Sequence, residues 1–394
     1  MAVVRTICIL TGTRADYGLL RRLILEVEAS PIAELQLVVT GSHLLDRFGG
    51  TTSEIAGDAI TAAAEVPLWG GDEAPVEVGA QYGDAVGAFC RVLAELAPDV
   101  VVILGDRLEA LAMATAATIL AVPIAHIHGG EVTEGAMDDS LRHAITKLSY
   151  LHLTSTEEHR LRVIQLGEEP ARVFNLGAPI VDALAQLELL DRDELEARFG
   201  IRFGARTALV TFHPAAMDVL PARELVAELL AALGAVHELH LIITGTNSDI
   251  GSVEVREEID AFVADHPDRV DYVESFGQLG YLSTMALCDV VIGNSSSTVL
   301  EAPVLGVPSV VIGDRQAGRP LSPSVLSPTA DRASIAAAIL RAVSPEFRLA
   351  VADAELPFGT RGFSERALAL ILATDFPRPP RKKFWDLDSA KEAT

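Results

Sequence analysis

The chain has 394 residues, length for about two domains at roughly 100–200 residues each. Hydrophobic residues make up 49% of it, so each half can bury a core without disulfides or metals. Lysine and arginine number 31 against 55 acidic residues, a net charge of −24, and a surface that negative repels phosphate backbones and anionic lipids, which argues against nucleic acid or membrane as a partner.

In chain order, the first strand is expected over Val4–Leu10. The opening MAVVRTICILTGTR holds an apolar stretch too short for a signal peptide and runs straight into a Gly turn. A helical pattern over Tyr17–Glu28 follows, then strand Leu35–Thr40, helix Gly79–Leu96, strand Val100–Leu104 and helix Arg107–Leu120. Strands Pro123–Ile127, Leu151–Thr154 and Val173–Leu176 complete the first half, with a helix over 139–148 among them. The apolar region Ala110–Ala125 is interrupted by Thr115, Thr118 and Pro123, too punctuated to span a bilayer. The second half offers strands Ala208–Phe212, Leu239–Thr244, Val270–Val273, Val290–Ile292 and Ser309–Ile312, with helices over Arg223–Leu233 and Ser283–Leu287. Cys8, Cys90 and Cys288 sit far apart in apolar runs and read as reduced core thiols, so a cytoplasmic location is expected.

Runs such as VVIL and LIIT are apolar on both faces, as buried parallel strands require. Repeated β-α alternation predicts an α/β fold of two doubly wound, Rossmann-like parallel sheets. The expected domains are 1–177, a linker at 178–206, 207–360, and a C-terminal helix and tail at 361–394 that returns to the first domain. In such sheets ligands sit beyond the carboxyl ends of the strands. Polar turns follow nearly every strand there: TGTRADY, TGSH, GDR and HGGE in the first half, and HP, GTNSD, GNSSS and GDRQ in the second. A ligand in the interdomain cleft is the economical expectation.

Gly293-Asn294-Ser295-Ser296-Ser297 lies between strand VVI and a helix read over TVLEAPVL. Hydroxyls and free N–H groups at a helix start suit a phosphate, with an ordinary Ser N-cap as the alternative. Glu301, one turn on, can accept two hydrogen bonds from a ribose diol or form a solvated helix face. Thr11–Tyr17 is not G-x-G-x-x-G, so no dinucleotide cofactor is indicated. Arg14 and Arg315 each have the fork of donors that clamps a diphosphate, or else pair on the surface with Asp16 or Asp314. His213 suits phosphate binding and assistance to a leaving group.

The densest acid/base cluster is Asp106, Arg107, His126, His128, Glu131, Asp138, Asp139, Arg142 and His143. Asp106 and His128 follow consecutive strands, so they are expected to flank one pocket. His126-x-His128 stands at a strand end, where the second ring falls beyond the strand, and no third ligand has convincing spacing. Metal-free proton chemistry is therefore favoured, with no metal and no cofactor expected. Asp139 and Arg142 also read as an i,i+3 helix pair.

Together, GTRADYGLL, LGDRLEALA, HIHGGEVTEGAMDDSLRHAITK, FHP and GNSSSTVLEAPVLGVPSVVIGDRQAGR resemble the hydrolysing UDP-N-acetylglucosamine 2-epimerases of sialic-type (nonulosonic) acid biosynthesis, from the first strand to about Arg319. The resemblance implies a GT-B-like fold, a UDP-sugar (or GDP-sugar) substrate, and release of free N-acetylmannosamine or a relative with loss of the nucleoside diphosphate. It places Arg14, His213, Ser295, Ser296 and Arg315 near the diphosphate, with Ser297 in the same run. Glu301 falls on the ribose and Asn247 near the nucleotide, while Asp106, Arg107, Glu131 and Asp138 take sugar-side positions. Relatives, the animal enzyme among them, carry a Glu where this chain has His128, which makes His128 a candidate proton-handling group here. Relatives that form dimers or tetramers imply a homodimer or homotetramer.

The chemistry fits. The C2 hydrogen of an N-acetylhexosamine has no adjacent carbonyl, so departure of the diphosphate from C1 must first build oxocarbenium character. The site then needs a donor-rich cradle and two proton-handling groups on opposite sides of the sugar. Rival readings are a GT-B glycosyltransferase and a catalytically silent nucleotide-sugar sensor.

Overall fold

The computed structural model describes residues 4–45, 52–68, 74–132, 137–185, 187–214, 220–246 and 252–387. Two compact units divide the chain: Met1–Ala183 with Phe358–Thr394, and Leu184–Pro357.

The first unit is built on seven parallel strands: β1 (Arg5–Thr11), β2 (Ala33–Thr40), β3 (Ala62–Val66), β4 (Val100–Leu104), β5 (Ile124–Ile127), β6 (Leu151–Thr154) and β7 (Val173–Asn175). They lie in the order β3-β2-β1-β4-β5-β6-β7. Alternation along β1 feeds two cores at once. Ile7 and Ile9 join Leu20, Ile24, Phe363 and Ile371 on one face, while Cys8 and Leu10 join Phe89, Val101 and Met113 on the other. Strand order turns around between β1 and β4, the place where a doubly wound sheet opens a crevice at its carboxyl edge.

The second unit holds β8 (Thr207–Thr211), β9 (His240–Thr244), β10 (Val270–Val273), β11 (Val290–Gly293), β12 (Ser309–Val311) and β13 (Val325–Leu326), ordered β10-β9-β8-β11-β12-β13 and parallel throughout. Its crevice opens between β8 and β11. Gly293, at φ 139°, is required there: a Cβ would lie 1.8 Å from the Thr211 carbonyl oxygen on β8.

β3 and β13 lie outside the expected strands. The β3 segment AAAEV is an edge strand of weak β-formers with alternating exposure, and β13 has two residues. Within 178–206, the expected linker, the structure has helices Pro179–Ala185 and Arg192–Phe199. The Asp182 carboxylate accepts the N–H groups of Gly362 and Ser364 at 2.6 and 2.8 Å, which anchors the start of helix Phe363–Ala373. Asp191 and Glu194 close a capping box on the second helix. Leu195, Ile201 and Phe203 then bury themselves in the second unit's core.

The tail forms a strap over the first unit. Lys382 and Lys147, two of only four lysines in the chain, both donate to the buried Glu168 carboxylate, Lys382 at 2.9 Å to each oxygen and Lys147 at 2.5 Å. His152 Nε2 lies 3.1 Å from the same group. Phe384 covers Gly167, where a Cβ would meet its ring at 2.3 Å, and the Trp385 N–H reaches the Gly167 carbonyl at 2.9 Å. Among the described residues no helix is long and apolar enough to cross a membrane.

Candidate active site

At the β1–β4 crevice the first turn is held by Thr13, whose hydroxyl accepts the Asp16 N–H at 3.2 Å and caps helix Arg14–Ala29. Arg14 stands exposed on that helix and pairs with Glu54 at 2.7 Å, not with Asp16. Arg107, after β4, pairs with Glu109 at 2.8 Å. Glu109 is buried, and no local motif singles it out. Gly12 makes its room, since a Cβ there would lie 2.6 Å from Glu109 Oε1.

Beside this, the ends of β4 and β5 gather the acid/base cluster. Arg142, buried on helix Met137–Leu148, donates to the Asp106 carboxylate with one terminal nitrogen. With the other it reaches the Glu131 carbonyl at 2.8 Å and Asp139 at 3.1 Å. The i,i+3 pair is present, and the same guanidinium also holds Asp106. Because β5 ends at Ile127, His128 lies past the strand in the left-handed region at φ 68°. Its Nδ1 is 2.8 Å from Glu131 Oε1. His126 stays in the strand, fully buried between the Gly105 carbonyl (2.8 Å) and Thr146 hydroxyl (3.2 Å). Burial brings its pKa down to about 3, so it is neutral at physiological pH. The two histidines thus differ in role: His126 is a satisfied core residue, and His128 belongs to the cluster. Asp138 lies exposed in the first turn of helix Met137–Leu148.

In the second unit Asn294 organises the crevice. Fully buried, its side chain accepts the His213 N–H at 2.8 Å and donates to the His213 carbonyl at 2.6 Å, tying the end of β8 to the turn after β11. The Arg315 and Gln316 side chains donate to the Asn294 carbonyl at 3.1 and 2.9 Å. Asn294, next to the serine run, therefore holds His213 through its side-chain amide and Arg315 through its backbone carbonyl. Ser297 is buried against the Tyr281 hydroxyl at 2.8 Å and Ser295 at 3.0 Å, leaving Ser295 and Ser296 half-exposed.

No continuous helix follows the serines. The structure has a 3₁₀ turn at Ser296–Thr298 and a four-residue helix, Glu301–Val304, because Pro303 has no N–H to extend one. So short a helix carries little dipole, and the available anion donors are hydroxyls, amides and Arg315. Burial pushes the Glu301 carboxyl up against an opposing pull from Arg319, and its Oε2 has no hydrogen-bond partner among the described residues. Asn247 lies outside the described residues. Among those residues no three His, Cys, Asp or Glu side chains are grouped to hold a metal ion.

Residues 25–372 match the family model described as UDP-N-acetylglucosamine 2-epimerase. The chain is 35% identical over 315 residues to a GDP/UDP-N,N'-diacetylbacillosamine 2-epimerase (hydrolyzing) of Campylobacter jejuni, covering 80% of this chain and 82% of that protein. It is 33% identical over 393 residues to polysialic acid biosynthesis protein P7 of Escherichia coli, covering 99% of each. The crystal structure of UDP-GlcNAc 2-epimerase from Neisseria meningitidis bound to UDP-GlcNAc superposes with a TM-score of 0.76 at 18% identity, over 94% of this chain and all of that one. That likeness shows the fold: a GT-B-like pair of α/β units.

Proposed function

The chain belongs to the UDP-N-acetylglucosamine 2-epimerase family, and from that premise we propose that it is a hydrolysing 2-epimerase. Its substrate is a nucleoside-diphosphate-linked 2-acetamido sugar, UDP-N-acetylglucosamine or a diacetamido relative. Breaking the C1–O bond releases the nucleoside diphosphate, and loss of the C2 proton leaves a glycal. Water then adds its hydroxyl at C1 while a proton returns to C2 from the opposite face, giving the free epimerised sugar.

The observation that carries this reading is the Asp106–Arg142–Glu131–His128 arrangement at the ends of β4 and β5. One buried guanidinium holds the Asp106 carboxylate and the Glu131 backbone, while the Glu131 carboxylate holds an imidazole. A carboxylate and an imidazole thus stand on adjacent strand ends, the two kinds of proton-handling group that epimerisation demands. Asp106 and His128 are assigned the proton transfers, with Glu131 behind His128, Asp138 at the mouth and Arg107 on the sugar. In the second unit Arg315, His213, Ser295 and Ser296, with Ser297 behind them, hold the departing diphosphate; the family resemblance assigns Arg14 to the diphosphate as well. Glu301 holds the ribose, and Asn247 is assigned to the nucleotide.

The test supplies UDP- and GDP-linked 2-acetamido sugars in heavy water with no acceptor. Free epimerised sugar carrying one deuterium at C2, in step with nucleoside diphosphate release, is the expected product. Intact substrate, or unlabelled parent sugar, would remove the proposal.

A further inference from the structure

The Gly-Gly corner after β5 brings a second layer of side chains up behind Glu131. Gly130 adopts φ 82°, and a Cβ on it would lie 2.3 Å from the His159 carbonyl oxygen. Without that side chain, helix Glu157–Gln165 packs directly on the corner, and Arg162 donates to the Gly130 carbonyl at 2.6 Å. The approach delivers Ser155 and His159, both buried and neither used by the functional reading above.

The Ser155 hydroxyl donates to Glu131 Oε1 at 2.7 Å, and His159 Nδ1 lies 2.8 Å from Ser155 Oγ. With the Ser155 hydrogen committed to Glu131, its oxygen accepts, so His159 carries a hydrogen on Nδ1. The same Oε1 faces His128 Nδ1 at 2.8 Å. A carboxylate there requires Nδ1–H on His128, which leaves Nε2 as the atom that can gain or lose a proton. Nε2 is buried and has no hydrogen-bond partner among the described residues.

We propose that Ser155 and His159 are positioning residues that pin Glu131 as the orienting carboxylate of His128, so that His128 Nε2, and not Glu131, exchanges the proton with the sugar. The inference rests on the epimerase reading and deepens it. The logic is that of a serine-protease triad, in which a fixed carboxylate sets the tautomer of the histidine that does the chemistry.

Electrostatics agree. Burial disfavours charge on His128, but Glu131 and Asp106 outweigh it and raise its pKa. Burial also disfavours the Glu131 carboxylate, yet His128, His159 and Ser155 hold it well below the usual range. Burial brings His159 down to about 4, which keeps it a neutral donor. Around His128 stand Glu131 of its own turn, Asp106 after β4, His126 on β5, Arg142 on helix Met137–Leu148 and His159 on the next helix.

The experiment combines steady-state kinetics with nitrogen-15 histidine spectra of the full chain, the His128 signals being identified by their loss in His128→Gln. Ser155→Ala takes one donor from Oε1, so the carboxylate holds the imidazolium harder. The His128 titration and the matching limb of the kcat profile then move to higher pH. Near neutrality kcat falls about tenfold with KM within about twofold. Ser155→Thr, which keeps the hydroxyl, restores both, and His159→Asn, which keeps a donor near Nδ1, falls between. If Ser155→Ala leaves the His128 titration unmoved, with or without a lower melting temperature, the positioning role is overturned while the epimerase reading stands. Absence of turnover in the unaltered protein overturns the epimerase reading, and the His128 spectra still decide the positioning role.

Discussion

The β4–β5 corner of the first unit and the β8–β11 corner of the second do opposite things at the same kind of sheet edge. The first packs ionisable groups against one another: Asp106 on Arg142, Glu131 on His128, His159 behind. The second is held mainly by neutral donors and acceptors: the Asn294 amide grips the His213 backbone, and the Tyr281 hydroxyl meets that of Ser297. A group that must give and take protons needs neighbours that shift its pKa, and burial with a partner charge supplies that. A group that must grip an anion needs donors that remain donors at every working pH, and serine, amide and arginine supply that.

The sharpest way to break this contrast is Asp106→Asn, which keeps the hydrogen bond from Arg142 but cannot take a proton. We expect kcat to fall about 10²- to 10⁴-fold with nucleotide affinity nearly unchanged; a loss under threefold would place the proton chemistry elsewhere. Next is Asn294→Ala, which removes the hydrogen bonds that the Asn294 amide makes with the His213 N–H and carbonyl. Stability should fall by about 2–3 kcal/mol in urea unfolding. Nucleoside diphosphate binding should weaken in calorimetry, while the shape of the pH profile stays the same. A profile that moves with Asn294 would erase the distinction between the two corners.

The most gradual effect is on stability against pH, and it belongs to the first unit. His126 and His159 sit at about 3 and about 4 in the folded chain against 6.5 ordinarily. The unfolded chain therefore binds protons first as pH drops. Their contribution is complete above pH 6.5 and declines as pH falls toward 4 and then 3, by about 1 kcal/mol per group for each unit of pH below 6. His43 and His152, lowered by burial, act with the same sign. The depressed carboxylate of Glu131 adds its loss only below its ordinary 4.5, so between 6.5 and 4.5 the decline comes from the lowered histidines, opposed by His128 and Asp16, whose pKa values are raised. Both tryptophans, Trp69 and Trp385, fall in the first unit. Their fluorescence in urea titrations should show a midpoint that drops across that window, with His126→Gln flattening the slope.

The two sheets could be read from the chain because buried parallel strands must be apolar on both faces and must end in polar turns. The β3 segment Ala62–Val66 escaped that pattern because an edge strand with alternating exposure needs no such run. The serine turn was legible as a donor cluster, but Pro303 replaced the expected helix with a 3₁₀ turn and a single short turn of α-helix. Asn294 hid inside the motif: its partner His213 lies 81 residues away, a pairing that only the β8–β11 neighbourhood supplies. Ser155 and His159 had no motif at all. They matter because Gly130 lets a helix come close, and closeness between elements is not written in local pattern.

The first unit is interrupted. Phe363 and Ile371 complete a core begun by Ile7 and Ile9, yet all of the second unit is translated between them. At ribosomal speed that wait lasts roughly 10–40 s. A nascent chain therefore displays an unfinished apolar face while its later half is already able to close, and the order of maturation runs opposite to the order of synthesis. Chaperones that shield greasy surfaces on emerging polypeptides would find their binding region in the first third of this molecule.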